Sequence, residues 1–180
     1  MKLSFLAAGG YQGGAGGAAE TFAWAGEHYR FEVVSVWPRP LQRPHPPVFG
    51  SGNSEDSVVF AAQRKLGLAI SFAPPAQVAK HVALYKAEAE KAGWSPTSDH
   101  VLYRAVAQIA ETDAQAACTA QGRFLPYFLG GPTRVLGQIE ALKDAGVGVI
   151  DLAFGAMGQE RSLTALGVLA SEVAPKVRDW

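Results

Sequence analysis

Cysteine is almost missing from this chain: Cys118 is the single one in 180 residues, so no internal disulfide can form. Burial must hold the fold, as is usual in a reducing compartment. Flanked by Ala116 and Ala117, Cys118 reads as a small buried hydrophobe rather than a nucleophile. Net charge is missing too, since sixteen basic residues face sixteen acidic ones and no run of like charge occurs. That balance offers no basic face for DNA or RNA. No apolar run is long enough for a bilayer, and the run within Met1 to Ala8 is shorter than the core of a secretion signal. A cytoplasmic protein without membrane or nucleic-acid partners is the expectation. Histidine is scarce as well: His28, His45, His81 and His100 have no acidic or cysteine partners at ligand spacing, and no two share one helical face. No metal site is predicted.

What the chain has is apolar mass, 48% of its residues, enough for one core and a single domain over residues 1–180. Glycine gathers near the start. Leu3 to Ala7 has the pattern of a short strand, and six glycines between Gly9 and Gly17 follow it. Ala18 and Ala19 stand where a phosphate loop of the Walker type needs Lys and Ser or Thr, so residues 1–18 read as a strand and a linker. Ala19 to Ala25 reads as a helical turn stopped by Gly26. Residues 26–47 form an extended insertion: His28 to Trp37 alternates and is β-branched, and the prolines that follow keep the chain extended.

From residue 48 the pattern alternates between strand and helix. Val48 to Ser51 reads as strand, Glu55 to Lys65 as helix, Leu68 to Phe72 as a strand buried on both faces, and Gln77 to Lys91 as an amphipathic helix. Val101 to Ile109 is strand and Asp113 to Gln121 helix. An irregular stretch with Phe124, Pro126, Tyr127 and Phe128 leads to a helix over Thr133 to Ala145, opened by Pro132 and closed by Gly146. Val147 to Phe154 is strand and Ser162 to Val173 helix. Four buried strands separated by helices predict an α/β fold, a parallel sheet with right-handed crossovers. The spacing is that of a (β/α) barrel, of which four strands make half.

One junction points to a ligand. Val48 and Phe49 feed Gly50-Ser51-Gly52-Asn53-Ser54-Glu55-Asp56-Ser57 and then a helix. Small residues there leave backbone N–H groups uncovered, Ser54 suits the N-cap, and the helix points its positive end at the loop. The expected guest is a phosphate.

Those residues carry a resemblance. Gly26 to Phe31, the segment Pro38 to Pro47, Gly52-Asn53-Ser54, Phe60 to Gln63, Leu68 to Phe72, Gly131-Pro132-Thr133, Ala145-Gly146-Val147 and Val173 to Val177 resemble the bacterial luciferase-like, flavin-dependent monooxygenases. The resemblance implies a TIM-type barrel, here partial, with about four parallel strands plus the insertion. It implies reduced FMN supplied by a separate flavin reductase, oxygen as co-substrate, and a small organic substrate. It places Gly52, Asn53, Ser54 and Ser57 on the phosphate and ribitol side of the flavin, and Phe72 near its isoalloxazine ring. Asn53 falls where relatives can carry a carboxylate. The N-terminal half that carries most catalytic groups in complete members has no counterpart, so no catalytic residue is assigned. A half barrel exposes an apolar inner face and sheet edges, which predicts a homo-oligomer. The alternatives are a non-catalytic flavin- or phosphate-binding remnant and a truncated fragment of such an enzyme.

Overall fold

The computed structural model describes residues 21–35, 41–43, 45–119, 127–154 and 158–178. The expected strand near Leu3, the glycine linker, the end of the extended run at Trp37 and the residues Phe124 and Pro126 lie outside this set. The chain divides into two compact units, Met1–Val48 and Phe49–Trp180.

Within the first unit, β1 (Phe22–Ala25) pairs antiparallel with β2 (Arg30–Val34), with Trp24 opposite Phe31 and Ala25 opposite Arg30. The helical turn expected up to Ala25 is therefore a strand. Alanine favours helix, but the hairpin supplies backbone partners that a single turn of helix would lack. Gly26 donates its N–H to Tyr29 O at 2.9 Å and closes the turn.

The second unit is a parallel sheet. Its strands are β3 (Phe49–Ser51), β4 (Gly67–Ser71), β5 (Val101–Ile109), β6 (Phe128–Gly130) and β7 (Val149–Ala153). The order runs β3-β4-β5, and β5 then pairs with β7 along Leu102–Val106 and with β6 along Ala107–Ile109. Among the described residues the sheet has five strands, where the sequence predicts about four. The added one, β6, lies just past the stretch read as irregular, and three residues beside prolines and aromatics are too few to show a strand period.

Helices α1 (Glu55–Gln63), α2 (Pro75–Lys91), α3 (Asp113–Thr119) and α4 (Pro132–Asp144) fill the connections. After β7, α5 (Gln159–Val168) passes through a π-type turn (Leu169–Val173) into α6 (Ala174–Val177). The side chain of Cys118, in α3, lies outside the described set. Helix α1 starts on Ser54, whose side chain accepts the Ser57 N–H, and has Glu55 and Asp56 in its first turn. It ends through Lys65 at φ +56, a left-handed stop made without glycine. Helices α2 and α4 open on Pro75 and Pro132, and Gly146 at φ +93 follows the end of α4.

These helices pack on one face of the sheet. Leu68 and Ile70 of β4, Val101, Tyr103, Ala105 and Ala107 of β5 and Phe128 of β6 are buried with Val58 and Ala61 of α1, Val78, Val82 and Tyr85 of α2 and Val135 and Leu142 of α4. Gly50 lets α1 come close, since a Cβ there would sit 3.2 Å from the Ala61 Cβ. The alternate residues Ala69, Ser71, Leu102, Arg104 and Val106 are half-buried or exposed. The face away from the helices thus corresponds to the inside of a barrel, and the segment makes only part of its wall.

Candidate functional site

The loops after β3 and β4 lie side by side at the carboxyl ends of their strands, where parallel α/β sheets place their ligands. One residue joins them. Asn53 donates from Nδ2 to Ser71 O at 2.7 Å and accepts the Ser71 N–H on Oδ1 at 3.1 Å. Gly52, one residue earlier, donates its N–H to Ala69 O at 3.2 Å. That N–H is thus committed to the sheet, and Gly52 serves the loop through the side chain it lacks. A Cβ there would come within 2.5 Å of the Ser57 Cβ and closer still to its Oγ.

Ser57 is held against Ser54. The two hydroxyl oxygens are 2.9 Å apart, and Ser54 Oγ also accepts the Ser57 N–H at 3.3 Å. Two hydroxyls carry two hydrogens and the mutual bond uses one, so one O–H remains as a donor to a ligand oxygen. The N–H groups of Glu55 and Asp56 add first-turn donors without intrahelical partners. Their carboxylates are exposed and share that turn. They stabilise the helix start, and they temper the positive potential an anion would meet.

Phe72 follows Ser71 directly. Its φ is +58, and the residue is 55% exposed. Its N–H donates to Arg104 O at 3.1 Å, and the next carbonyl, Ala73 O, accepts from the Tyr103 hydroxyl at 2.8 Å. Burial pushes the Tyr103 hydroxyl up to about 12, with the neighbouring Tyr127 adding to the shift. Tyr103 therefore stays a neutral donor. Ser54 and Ser57 are bonded to each other, Gly52 lies beside the Ser57 side chain, and Asn53 connects the loop through Ser71 to Phe72.

Sequence reasoning passed over two charged residues on the open face. Arg104 of β5 and Asp151 of β7 stand opposite each other in register and form an ion pair at 3.3 Å. The signal was there: each is the one charged residue within an otherwise uncharged parallel strand. Of the histidines, His45 Nδ1 lies 2.7 Å from Pro46 O, His81 is buried in α2, and His100 accepts the Thr97 N–H at 3.1 Å. Among the described residues no three His, Cys, Asp or Glu side chains gather as a metal site. Among the same residues no helix is long and apolar enough to cross a membrane.

Sequential parallel strands with helices along one face define a segment of a (β/α)-barrel fold. The family model for luciferase-like monooxygenases matches residues 11–168, and the chain belongs to that family. Among solved structures, the monooxygenase RslO1 from Streptomyces bottropensis is similar at 26% identity and TM-score 0.67, over 88% of this chain and 56% of that one. The oxygenating constituent of 3,6-diketocamphane monooxygenase from the CAM plasmid of Pseudomonas putida, solved with FMN, is similar in fold. It shares 18% identity and a TM-score of 0.63, over 88% of this chain and 58% of that one. The coenzyme F420 dependent tetrahydromethanopterin reductase of Methanopyrus kandleri shares the fold at 15% identity and TM-score 0.59, over 85% and 57% of the two chains. This chain thus spans little more than half the length of these relatives. FMN is named with the second of these structures and coenzyme F420 with the third.

Proposed function

We propose that this chain is the flavin-phosphate-binding part of a luciferase-like monooxygenase, working with reduced FMN from a separate flavin reductase, oxygen and a small organic substrate in the cytoplasm. The observation that carries it is the loop Gly52–Ser57: a serine pair with one O–H to give, at a helix start, at the carboxyl end of a parallel strand. The fit to a phosphate is steric as well as chemical, because Gly52 leaves open the space that lets the Ser57 hydroxyl face Ser54. Bound there, reduced FMN would deliver two electrons to oxygen. Ser54 and Ser57 would hold the phosphate, and Phe72 would offer its exposed ring to the flavin. The open sheet face with Arg104 and Asp151 would be closed by a second copy of the chain. Covering that face keeps water from the reacting flavin.

A second reading is a flavin-binding remnant without catalysis, in which the loop and Phe72 hold the flavin and no residue is assigned to the chemistry. One set of measurements separates them. The mass in solution is determined, FMN is titrated while flavin fluorescence is followed, and oxygen uptake is recorded with NADH, a flavin reductase and a long-chain aldehyde. Quenching with oxygen uptake above the reductase background supports the enzyme, and quenching without it supports the remnant. A monomer showing no quenching at tens of micromolar FMN refutes both. Parallel titration with F420 decides which flavin-type cofactor the loop prefers.

A further inference from the structure

The bonds around Ser71 give Asn53 a different task from its serine neighbours. Strand β3 ends at Ser51, and Gly52 makes one more backbone bond to Ala69 O at 3.2 Å. At the next position the carboxamide of Asn53 replaces the backbone, donating to Ser71 O at 2.7 Å and accepting from Ser71 N–H at 3.1 Å. A carboxamide has the donor and acceptor of a peptide group, so Asn53 adds a side-chain rung to the parallel ladder. Immediately beyond that rung Phe72 adopts φ +58. For a residue with a Cβ this conformation is disfavoured by roughly 5- to 30-fold. It persists where flanking contacts over-determine it.

Three contacts do so here. Asn53 grips Ser71, Arg104 O accepts the Phe72 N–H at 3.1 Å, and the Tyr103 hydroxyl donates to Ala73 O at 2.8 Å. Two of these come from β5 and belong to the body of the sheet. The third comes from the loop that carries Ser54 and Ser57. The strained residue does not build the core, since Phe72 is 55% exposed.

We propose that Asn53 is a positioning residue, which locks the left-handed turn at Phe72 to the serine loop so that the aromatic ring and the hydroxyl pair meet a ligand at a fixed separation. One Nδ2 hydrogen and Oδ1 of its amide are engaged by Ser71, so Asn53 acts on a ligand through Phe72. This inference rests on the reading of the loop as a flavin site.

The test titrates FMN and riboflavin, which lacks the phosphate, into the wild type, Asn53→Ala, Ser54→Ala, Phe72→Leu and the Asn53→Ala/Phe72→Leu pair, alongside residue-resolved amide hydrogen exchange. Asn53→Ala is expected to weaken both ligands by the same factor, roughly 5- to 30-fold, whereas Ser54→Ala weakens FMN alone. In the Phe72→Leu background Asn53→Ala adds less than about twofold, because the ring it would position is gone. Loss of FMN without loss of riboflavin would overturn the inference, and so would an undiminished effect in the Phe72→Leu background. Should Asn53→Ala fail to fold, Asn53→Ser is read in its place. It adds no charge to the loop, is too short to make both bonds to Ser71, and is expected to show a smaller, equal loss for both ligands. If the wild type binds neither flavin, the proposed function falls, while hydrogen exchange still judges the clamp. Exchange of the Ser71 and Phe72 amides is expected to be at least about tenfold faster in the variant, and unchanged protection would overturn the clamp itself.

Discussion

Replacing Gly52 by alanine adds one methyl group in the most crowded part of the loop. The new Cβ would stand 2.5 Å from the Ser57 Cβ and closer to its Oγ. Rotating the hydroxyl cannot relieve this, because the Ser57 Cβ is fixed to the helix backbone. Nor can Gly52 retreat freely, since its N–H is bonded to Ala69 O and its neighbour Asn53 is bonded to Ser71. The start of α1 has to shift, at a cost of about 1–3 kcal/mol for an overpacked site. At this chain length each kcal/mol moves the melting temperature by about 2–4 °C. A fall of roughly 2 to 12 °C is therefore expected in calorimetry or far-ultraviolet circular dichroism, together with weaker FMN binding as the serine pair is disturbed. Gly137→Ala is the matched control. Gly137 lies within α4, and a Cβ there meets nothing within 4 Å. It should gain about 0.5–1 kcal/mol by removing glycine from a helix interior. Equal melting temperatures for the two variants would refute the steric account of Gly52.

Ser54→Ala should cost about 1–2 kcal/mol of FMN affinity through a lost phosphate bond, and about 1 kcal/mol of stability through the lost N-cap. Equal losses for FMN and riboflavin would place the phosphate elsewhere. Gly148→Ala should be more damaging than Gly52→Ala, because its Cβ would lie 2.5 Å from the carbonyl carbon of Ser98 and 2.6 Å from its oxygen, where only backbone could yield; a soluble variant with wild-type melting would contradict this. Alkaline titration followed by the tyrosinate absorbance tests the buried phenols. Tyr85 and Tyr103 are raised from 10.0 to about 12 by burial. The unfolded chain releases these protons first, so the stability they contribute is complete below pH 10 and is lost as pH rises towards 12. Stability that holds level across that window would refute it.

The alternation of strands and helices was legible because parallel strands covered by helices read as apolar runs, as Leu68 to Phe72 and Val101 to Ile109 do. Ser54 as a helix cap was legible from residue type alone, and the structure places it there. Other features depended on partners far along the chain. Ala19 to Ala25 reads as a helical turn from its alanines, and pairing with Arg30 to Val34 makes Phe22 to Ala25 a strand. Nothing in the sequence at Gly52 says that its N–H is taken by Ala69, or that Asn53 bonds Ser71, eighteen residues on. The positive φ of Phe72 was equally hidden, since local preference argues against it and only Asn53, Tyr103 and Arg104 together hold it.

The far end of α1 is moored by side chains from outside the helix. Trp94 donates its indole N–H to Ala62 O at 2.8 Å, and the Tyr85 hydroxyl donates to Leu66 O at 2.6 Å, with the two rings packed edge to face. The Ala62 carbonyl lies eight residues past Ser54, roughly 12 Å along the helix. The helix is also held along its length, since Val58 and Ala61 are buried in the core. Trp94 thus helps to fix the direction of α1 from a residue beyond the loop, and if the loop holds a flavin as proposed, variation at Trp94 would retune affinity with the loop sequence unchanged.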